Sequence, residues 1–282
     1  MADLVSGRSI LVHVDDHPRC EARIDFALRL AQVVKARLVG VYLQPGINLY
    51  PFAAAMLPPD FVEERLRQHL EAQQAAQAAF AEAAGASGVA TGWVAPAGDA
   101  HEMTTIHARF ADFVVLGQPE ADADDHGFAN DLAHAVLMGS ARPVLFVPYA
   151  GRVDTVAECG LVAWKNTREA ARAVGDAMPL LSKARTVSAI SVVTNDDTPL
   201  GDVVAEQELN AYFASHGVSA QLERSVAPEG EVGQLLLSRA ADAGADLIVM
   251  GGYSHRRIRE LVLGGVTRTM LKSMSVPVLM SH

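Results

Sequence analysis

The chain has 282 residues, half of them hydrophobic and 20% charged, with a formal charge of −10 from 33 acidic and 23 basic residues. That is roughly twice the common domain size, with enough apolar material for two buried cores, which excludes a disordered protein and points to two domains. The acidic balance and the 6% aromatic content exclude an unaided electrostatic grip on nucleic acid or an anionic membrane, and a base-stacking platform too.

The opening residues Met1–Arg8 lack the basic start and apolar core of a signal peptide. No window approaches the ~18 uninterrupted apolar residues of a membrane span, so a soluble cytoplasmic protein is expected. Continuous apolar runs then follow at Ile10–Val14, Leu38–Leu43, Val89–Val94, Phe113–Leu116 and Val144–Val147. Rich in β-branched residues, they read as strands buried on both faces. Between them the pattern predicts helices over Arg23–Val34, Phe61–Ala84, from Ala100 and over Asn130–Met138.

The same order returns in the second half: strands Gly160–Trp164, Thr186–Val193, Ala220–Val226, Asp246–Met250 and Val278–Met280 alternate with helices Arg168–Leu181, Pro199–His216, Val232–Ala243 and one ending at Lys272. Asp99-x-x-Glu102 and Asn166-x-x-Glu169 have the spacing of capping boxes, and Gly217 and Gly244 stand where helix stops are expected.

The repetition is also literal. Ala111-Asp-Phe-Val-Val-Leu-Gly117 echoes Ala245-Asp-Leu-Ile-Val-Met-Gly251, and Pro143-Val-Leu-Phe-Val147 echoes Pro277-Val-Leu-Met280. Lys35-Ala-Arg and Lys183-Ala-Arg are further apart than these pairs, so the first copy carries extra residues in its middle, which Pro45–Pro59 supplies. The expected architecture is α/β: two tandem doubly wound domains, 1–150 and 156–282, each a five-stranded parallel sheet flanked by helices.

In such sheets ligands bind beyond the carboxyl ends of the strands, at the point where strand order reverses. The loop there in the second copy reads Met250-Gly-Gly-Tyr-Ser-His-Arg-Arg-Ile-Arg-Glu-Leu-Val-Leu-Gly-Gly-Val-Thr267. Its glycines permit close backbone approach, and Gly264-Gly265-Val266-Thr267 opens a helix whose free N–H groups suit an anion. His255, Arg256, Arg257 and Arg259 add positive charge. A tight strand-to-helix crossing with solvated arginines would produce the same pattern.

These residues resemble those of a tandem universal stress protein, over nearly the whole chain. The resemblance lies in the first strands (Ile10–Asp15 and Leu161–Lys165), the Asp-x-Val/Ile-Val-x-Gly fourth strands, the Pro-Val-Leu last strands and above all the Gly251–Thr267 loop. It implies a Rossmann-like, adenine nucleotide α-hydrolase-like fold and, in nucleotide-binding members, a Gly-x2-Gly-x9-Gly-Ser/Thr motif. Gly251 and Gly264 match its first and third glycines with the spacing intact. Ser254 stands at the second glycine and Gly265 at the hydroxyl, with Thr267 two residues on.

On this resemblance an adenine nucleotide such as ATP would be held by Ala163, Met250, Gly251, Ser254, His255, Arg256, Gly264, Gly265, Val266 and Thr267, with no metal except Mg accompanying it. The family's first-strand Asp, which faces adenine and ribose, is Asp15 in the first copy but Lys165 in the second. The first copy's loop has become Gly117-Gln-Pro-Glu-Ala-Asp-Ala-Asp-Asp-His-Gly127, whose carboxylates would repel a triphosphate. Neither copy therefore carries a complete set.

Other constellations are weaker. Asp122, Asp124 and Gly127 follow EF-hand spacing, but His126 and Ala133 stand at ligand positions, so a solvated acidic loop is the default. No histidine pair has helical metal-site spacing, and His13, inside a strand, reads as a satisfied core residue. Cys20 and Cys159 are far apart and outside CxxC spacing; Cys20 reads as a helix-surface thiol. Ser254-His255 lacks a third group to orient it as a nucleophile pair, and no GxGxxG follows either first strand.

The leading expectation is a non-enzymatic, stress-responsive protein binding an adenine nucleotide in its second domain. Its last strands Val144–Val147 and Val278–Met280 would pair as an intramolecular pseudo-dimer, with a homodimer plausible, and neither nucleic acid nor membrane as a partner. An interaction scaffold without a ligand and a weak ATP-hydrolysing enzyme are the alternatives.

Overall fold

The computed structural model describes residues 7–43, 58–119, 127–151, 153–193, 199–253 and 265–282. The Pro45–Pro59 insertion lies largely outside these residues. The first repeat runs β1 (Ser9–Val14), α1 (Cys20–Val34), β2 (Arg37–Tyr42), α2 (Pro59–Gly85), β3 (Thr91–Val94), α3 (Ala100–Ala108), β4 (Phe113–Gly117), α4 (Phe128–Gly139) and β5 (Val144–Val147). The second runs β6 (Cys159–Trp164), α5 (Arg168–Leu181), β7 (Thr186–Val193), α6 (Pro199–Ser215), β8 (Ala220–Val226), α7 (Val232–Asp242), β9 (Leu247–Gly251), α8 (Gly265–Ser273) and β10 (Val278–Ser281).

All ten strands join one sheet, ordered β3-β2-β1-β4-β5-β10-β9-β6-β7-β8. Pairing is parallel within each repeat. It is antiparallel where the repeats meet, with Val278 opposite Phe146, Leu279 opposite Leu145 and Met280 opposite Val144. The expected pairing of the last strands is therefore present, and strand order reverses between β1 and β4 and again between β6 and β9.

Burial follows that order. Central β1, β5 and β10 are buried at every residue, whereas the edge strands β3 and β8 are mostly half-buried or exposed. Side-chain alternation splits the core into two faces. Ile10, Val12 and Val14 point to the side covered by α1, α2, α5 and α6, and Leu11 to the side covered by α3, α4, α7 and α8.

Asp112 and Asp246, the acids that open the fourth-strand motifs, act alike. The Asp112 carboxylate accepts from the Ser9 N–H at 2.7 Å and that of Asp246 from the Cys159 N–H at 2.8 Å, tying each first strand to its neighbour.

Local signals resolve as follows. Asp99 caps α3 through the Glu102 N–H at 2.9 Å. At α5 the cap is Thr167, whose hydroxyl accepts from the Ala170 N–H at 3.2 Å, one residue later than the Asn166 box expected from spacing. Glu169 is buried and paired instead with the Arg168 side chain at 2.7 Å. Gly217 (φ +73°) and Gly244 (φ +60°) end α6 and α7 in the left-handed region. The 27-residue α2 is about 40 Å long, but only Phe80 and Ala84 along it are buried. Phe80 packs on Trp93, which lies across Gly40, where a Cβ would come within 2.8 Å of the indole.

Candidate functional site

In the second repeat the reversal point lies between the carboxyl ends of β6 and β9. Ala163 and Met250 are register partners across these strands, and Gly251 is paired with Ser281 of β10. Gly251 is glycine for a steric reason: a Cβ there would lie 2.7 Å from the Ala170 backbone nitrogen at the start of α5. The α5 N-terminus thus packs directly on the end of β9, a contact that spacing does not reveal.

Past Gly251 the chain turns sharply. The Gly252 N–H donates to the Ser281 carbonyl at 2.9 Å, and Tyr253 adopts φ +51°, unusual for a bulky residue. The Tyr253 N–H reaches the Thr267 hydroxyl at 3.5 Å, which links the strand exit to the first turn of α8. Tyr253 is buried, and that burial pushes its phenol up to about 12.

Of the residues expected to hold a nucleotide, Ala163, Met250, Gly251, Gly265, Val266 and Thr267 fall among the described residues. Ala163, Met250 and Gly251 cluster at the strand ends, and Thr267 is joined to them through Tyr253. Gly265 is exposed, and no described residue comes within 4 Å of where a Cβ would be. The first N–H groups of α8 are the kind that meet an anion. Thr267 is buried, with its hydroxyl turned to Tyr253. Ser254, His255, Arg256 and Gly264 lie outside the described residues, as do Arg257 and Arg259.

The matching place in the first repeat is built differently. Asp15 follows β1, and its carboxylate accepts from the Arg23 guanidinium at 2.5 Å and from the His17 N–H at 3.2 Å, while His13 Nδ1 lies 3.3 Å away. The side chains of Asp15 and Arg23 are only 18% and 7% exposed. Burial alone would raise the Asp15 carboxyl, but the charge of Arg23, then that of His13, and the hydrogen bonds from Arg23 and His17 outweigh it and hold it at about 2. His13 Nε2 also contacts the Leu43 carbonyl at 2.8 Å, as a satisfied core histidine should. Burial leads the forces that lower its pKa.

Arg23 occupies the crevice between β1 and β4. A Cβ on Gly117, the counterpart of Gly251, would lie 2.7 Å from its guanidinium. Sequence reasoning passed over this arginine, although it shares the α1 stripe of Cys20, Ile24 and Ala27, all buried. Cys20 belongs to that stripe as well. It is a buried thiol, not a helix-surface one, and burial pushes its pKa up, because α1 starts at Cys20 and turns the Cys20, Ile24 and Ala27 face towards the sheet.

The acidic stretch from Glu120 to His126 lies outside the described residues. Among the described residues no three His, Cys, Asp or Glu side chains come together as a metal site, and no helix is long and apolar enough to cross a membrane.

The sequence matches no curated protein. Among solved structures, a universal stress protein from Archaeoglobus fulgidus DSM 4304 superposes with a TM-score of 0.76 at 15% identity, covering 98% of each chain. A functionally unknown protein from Pseudomonas aeruginosa PAO1 superposes with a TM-score of 0.60 at 16% identity, over 98% of this chain and 92% of that one. At such identities the likeness concerns the fold. The profile of the universal stress protein family matches twice, over residues 7–148 and again over 161–282, so that both repeats carry it. The chain is a member of the universal stress protein family, with two of its domains in tandem.

Proposed function

We propose that this is a non-enzymatic, cytoplasmic stress-response protein of bacteria, built of units 1–150 and 156–282, whose second unit binds an adenine nucleotide with Mg as the nucleotide's own counter-ion. The observation that supports this reading most is the open start of α8. Gly265 is exposed at a helix N-terminus that Thr267 and Tyr253 tie to the Ala163, Met250 and Gly251 strand ends. A phosphate meets free N–H groups and the positive end of the helix dipole there.

The case against catalysis rests on where the carboxylates are. Phosphoryl transfer needs a group to orient the attacking water and a ligand for the metal. Asp15, the first-strand acid, is in the other repeat and is engaged by Arg23, and the second repeat has Lys165 at that position.

A second reading, an interaction scaffold without a ligand, is favoured by the first repeat, where Arg23 fills the crevice. The β5–β10 pairing uses both last strands within the chain, so association of two chains has to use another surface.

Native mass spectrometry of the freshly purified chain, acid release of anything bound, and titration with Mg-ATP test the proposal. The Gly265→Glu variant is the control. No described residue comes within 4 Å of the new Cβ, and an acid at a helix start suits the fold while repelling phosphate. One adenine nucleotide per chain, lost in this variant, is the expected result. A bare chain that ignores millimolar Mg-ATP overturns the nucleotide reading and leaves the scaffold.

A further inference from the structure

The two repeats grip one another at the loops that leave their fourth strands. In one direction, Gln118, directly after β4, donates from its side-chain nitrogen to the Leu271 carbonyl of α8 at 2.8 Å. Its side-chain oxygen accepts from the Tyr149 N–H at 3.0 Å, and its backbone N–H donates to the Val147 carbonyl at 2.8 Å, so the side-chain amide is held at both ends and the backbone beneath it is pinned to β5. In the other direction, Gly252 and Tyr253, directly after β9, rest on α4. A Cβ on Gly252 would fall 2.9 Å from a methyl group of Leu137, and the Tyr253 ring meets His134 edge-on with centroids 5.1 Å apart. Leu137 and Gln118 are both buried.

These contacts have a consequence for the candidate site. Its strand side, Gly251 with the turn at Gly252 and Tyr253, is backed by α4 of the first domain. Its helix side, α8 from Gly265 to Ser273, is held by Gln118 of the same domain. Within the second domain the turn reaches α8 through the Tyr253 N–H and the Thr267 hydroxyl, at 3.5 Å a long contact. It is tied to the end of β10 by the Gly252 N–H on the Ser281 carbonyl at 2.9 Å and by the His282 ring against the Gly252 carbonyl at 3.2 Å, while α8 packs through Thr269 on Gly233 of α7. The separation between strand end and helix start is therefore set from both domains, the first one contributing Leu137 and His134 on the strand side and Gln118 on the helix side.

We propose that Leu137, His134 and Gln118 of the first domain are positioning residues for the nucleotide site of the second. This inference rests on the reading that the second domain binds an adenine nucleotide. A phosphate bound at a helix start is sensitive to displacements well under 1 Å in its donors, and the packed contact of Gly252 with Leu137 leaves no slack. The first domain then serves the second one's site through the interface while its own crevice is occupied by Arg23.

The test is a space-for-space exchange in the full chain, comparing Gly252→Ala, Leu137→Ala and the double variant. Mg-ATP affinity by calorimetry is one readout, and amide exchange of the segment 247–253 is the other. Gly252→Ala is expected to weaken Mg-ATP binding about fivefold or more and to speed exchange at the end of β9. In the double variant the new methyl enters the room left by the leucine, and both readouts return to within about twofold of the parent. Leu137→Ala opens a cavity and lowers the melting temperature, so affinity regained in a less stable chain is a sign of positioning and not of general stability.

Unchanged binding in Gly252→Ala, or a double variant as weak as the single one, overturns the proposal while leaving the nucleotide reading intact. If the parent chain itself does not bind Mg-ATP, the nucleotide reading fails and with it the role in binding. The exchange data then decide whether α4 positions the β9 turn at all: no change in Gly252→Ala, or no recovery in the double variant, removes that as well.

Discussion

Replacing Asp15 by Asn leaves the guanidinium of Arg23 buried with its charge uncompensated by the carboxylate it now faces at 2.5 Å. Two routes give the size of the effect. The Asp15 carboxyl titrates at 3.8 without the fold and at about 2 within it, which at about 1.4 kcal/mol per pKa unit amounts to roughly 2.5 kcal/mol. Removing one member of a buried pair costs about 3–5 kcal/mol. Asparagine sits at the lower end, since its amide oxygen still accepts a hydrogen bond.

The pH dependence has a definite sign. The folded-state pKa is depressed, so the contribution is complete above about pH 4 and is lost as pH falls from there towards 2, where the folded carboxylate finally takes up its proton. Urea unfolding of the parent and of Asp15→Asn, followed by far-UV circular dichroism from pH 7 to pH 2.5, reads this directly. The expected gap is about 2.5 kcal/mol at pH 6, narrowing steadily below pH 4. A gap that stays constant down to pH 2.5, or one below about 0.5 kcal/mol at pH 6, would refute the claim that this ion pair is what holds the crevice of the first domain closed.

Three further outcomes follow from the same geometry. Gly251→Ala drives a methyl group into the backbone at Ala170 and should destabilise the chain by about 1–3 kcal/mol through overpacking, read as a lower urea midpoint at unchanged m-value. Gly40→Ala meets the Trp93 ring and Phe80 and should cost a similar amount, about 1–3 kcal/mol, again read as a lower urea midpoint. His13 has a lowered pKa, with burial as the leading cause, so the neutral ring is the folded form, and stability should begin to fall as pH drops below about 6.5. His13→Gln should flatten that part of the urea-midpoint profile and move the Asp15 limb below about pH 4 to slightly higher pH, because one of the charges that depress the carboxyl is gone.

The alternation of apolar strands and amphipathic helices was legible because burial differs so sharply between elements. β1, β5 and β10 carry no exposed residue, and a short continuous Val/Ile/Leu run suits a strand covered on both faces better than any half-exposed element. The pairing of β5 with β10 was expected from the resemblance to domains that dimerise through their last strands and from the edge each would otherwise expose; its antiparallel sense is given by the structure alone. The bounds of α5, Arg168–Leu181, were legible, but its cap was misplaced by a residue because Asn166 and Thr167 are both good caps, and only the backbone decides between them.

Cys20 was misread and Arg23 passed over because a thiol and a charged residue at a helix start are ordinarily solvated, and only the spacing with Ile24 and Ala27 places both on the buried stripe. The contacts of Gln118 with Leu271 and of Gly252 with Leu137 join positions far apart in the chain. No local pattern encodes them, since a glutamine and a glycine in a loop look the same whether or not another domain packs on them.

The two repeats use one feature of the fold in opposite ways. Each fourth strand ends in a glycine against which the first helix of its repeat packs, Gly117 under α1 and Gly251 under α5. At Gly117 the neighbour is the far end of a long side chain, the Arg23 guanidinium; at Gly251 it is the helix backbone itself at Ala170. The arginine neutralises Asp15 and occupies the crevice with charge already satisfied, so the first repeat needs no ligand to complete its electrostatics. The second repeat has an alanine where the helix meets the strand and a lysine in place of the first-strand acid. The buried acid beside Gly251 is instead Glu169 of α5, paired with the Arg168 side chain at 2.7 Å, and Gly265 at the start of α8 is exposed. One reversal point filled by an arginine from the helix interior and another lined by the helix start itself, joined through interlocking loops, make an asymmetric pair out of a symmetric fold. Ala173→Arg with Lys165→Asp places an arginine and an acid at the positions that Arg23 and Asp15 hold on the equivalent helix stripe and strand end, and so carries the first repeat's solution into the second. On this argument the double substitution should abolish Mg-ATP binding in calorimetry while the far-UV spectrum stays that of the parent. A chain that still binds with parental affinity would mean that this ion pair is not what separates the two repeats.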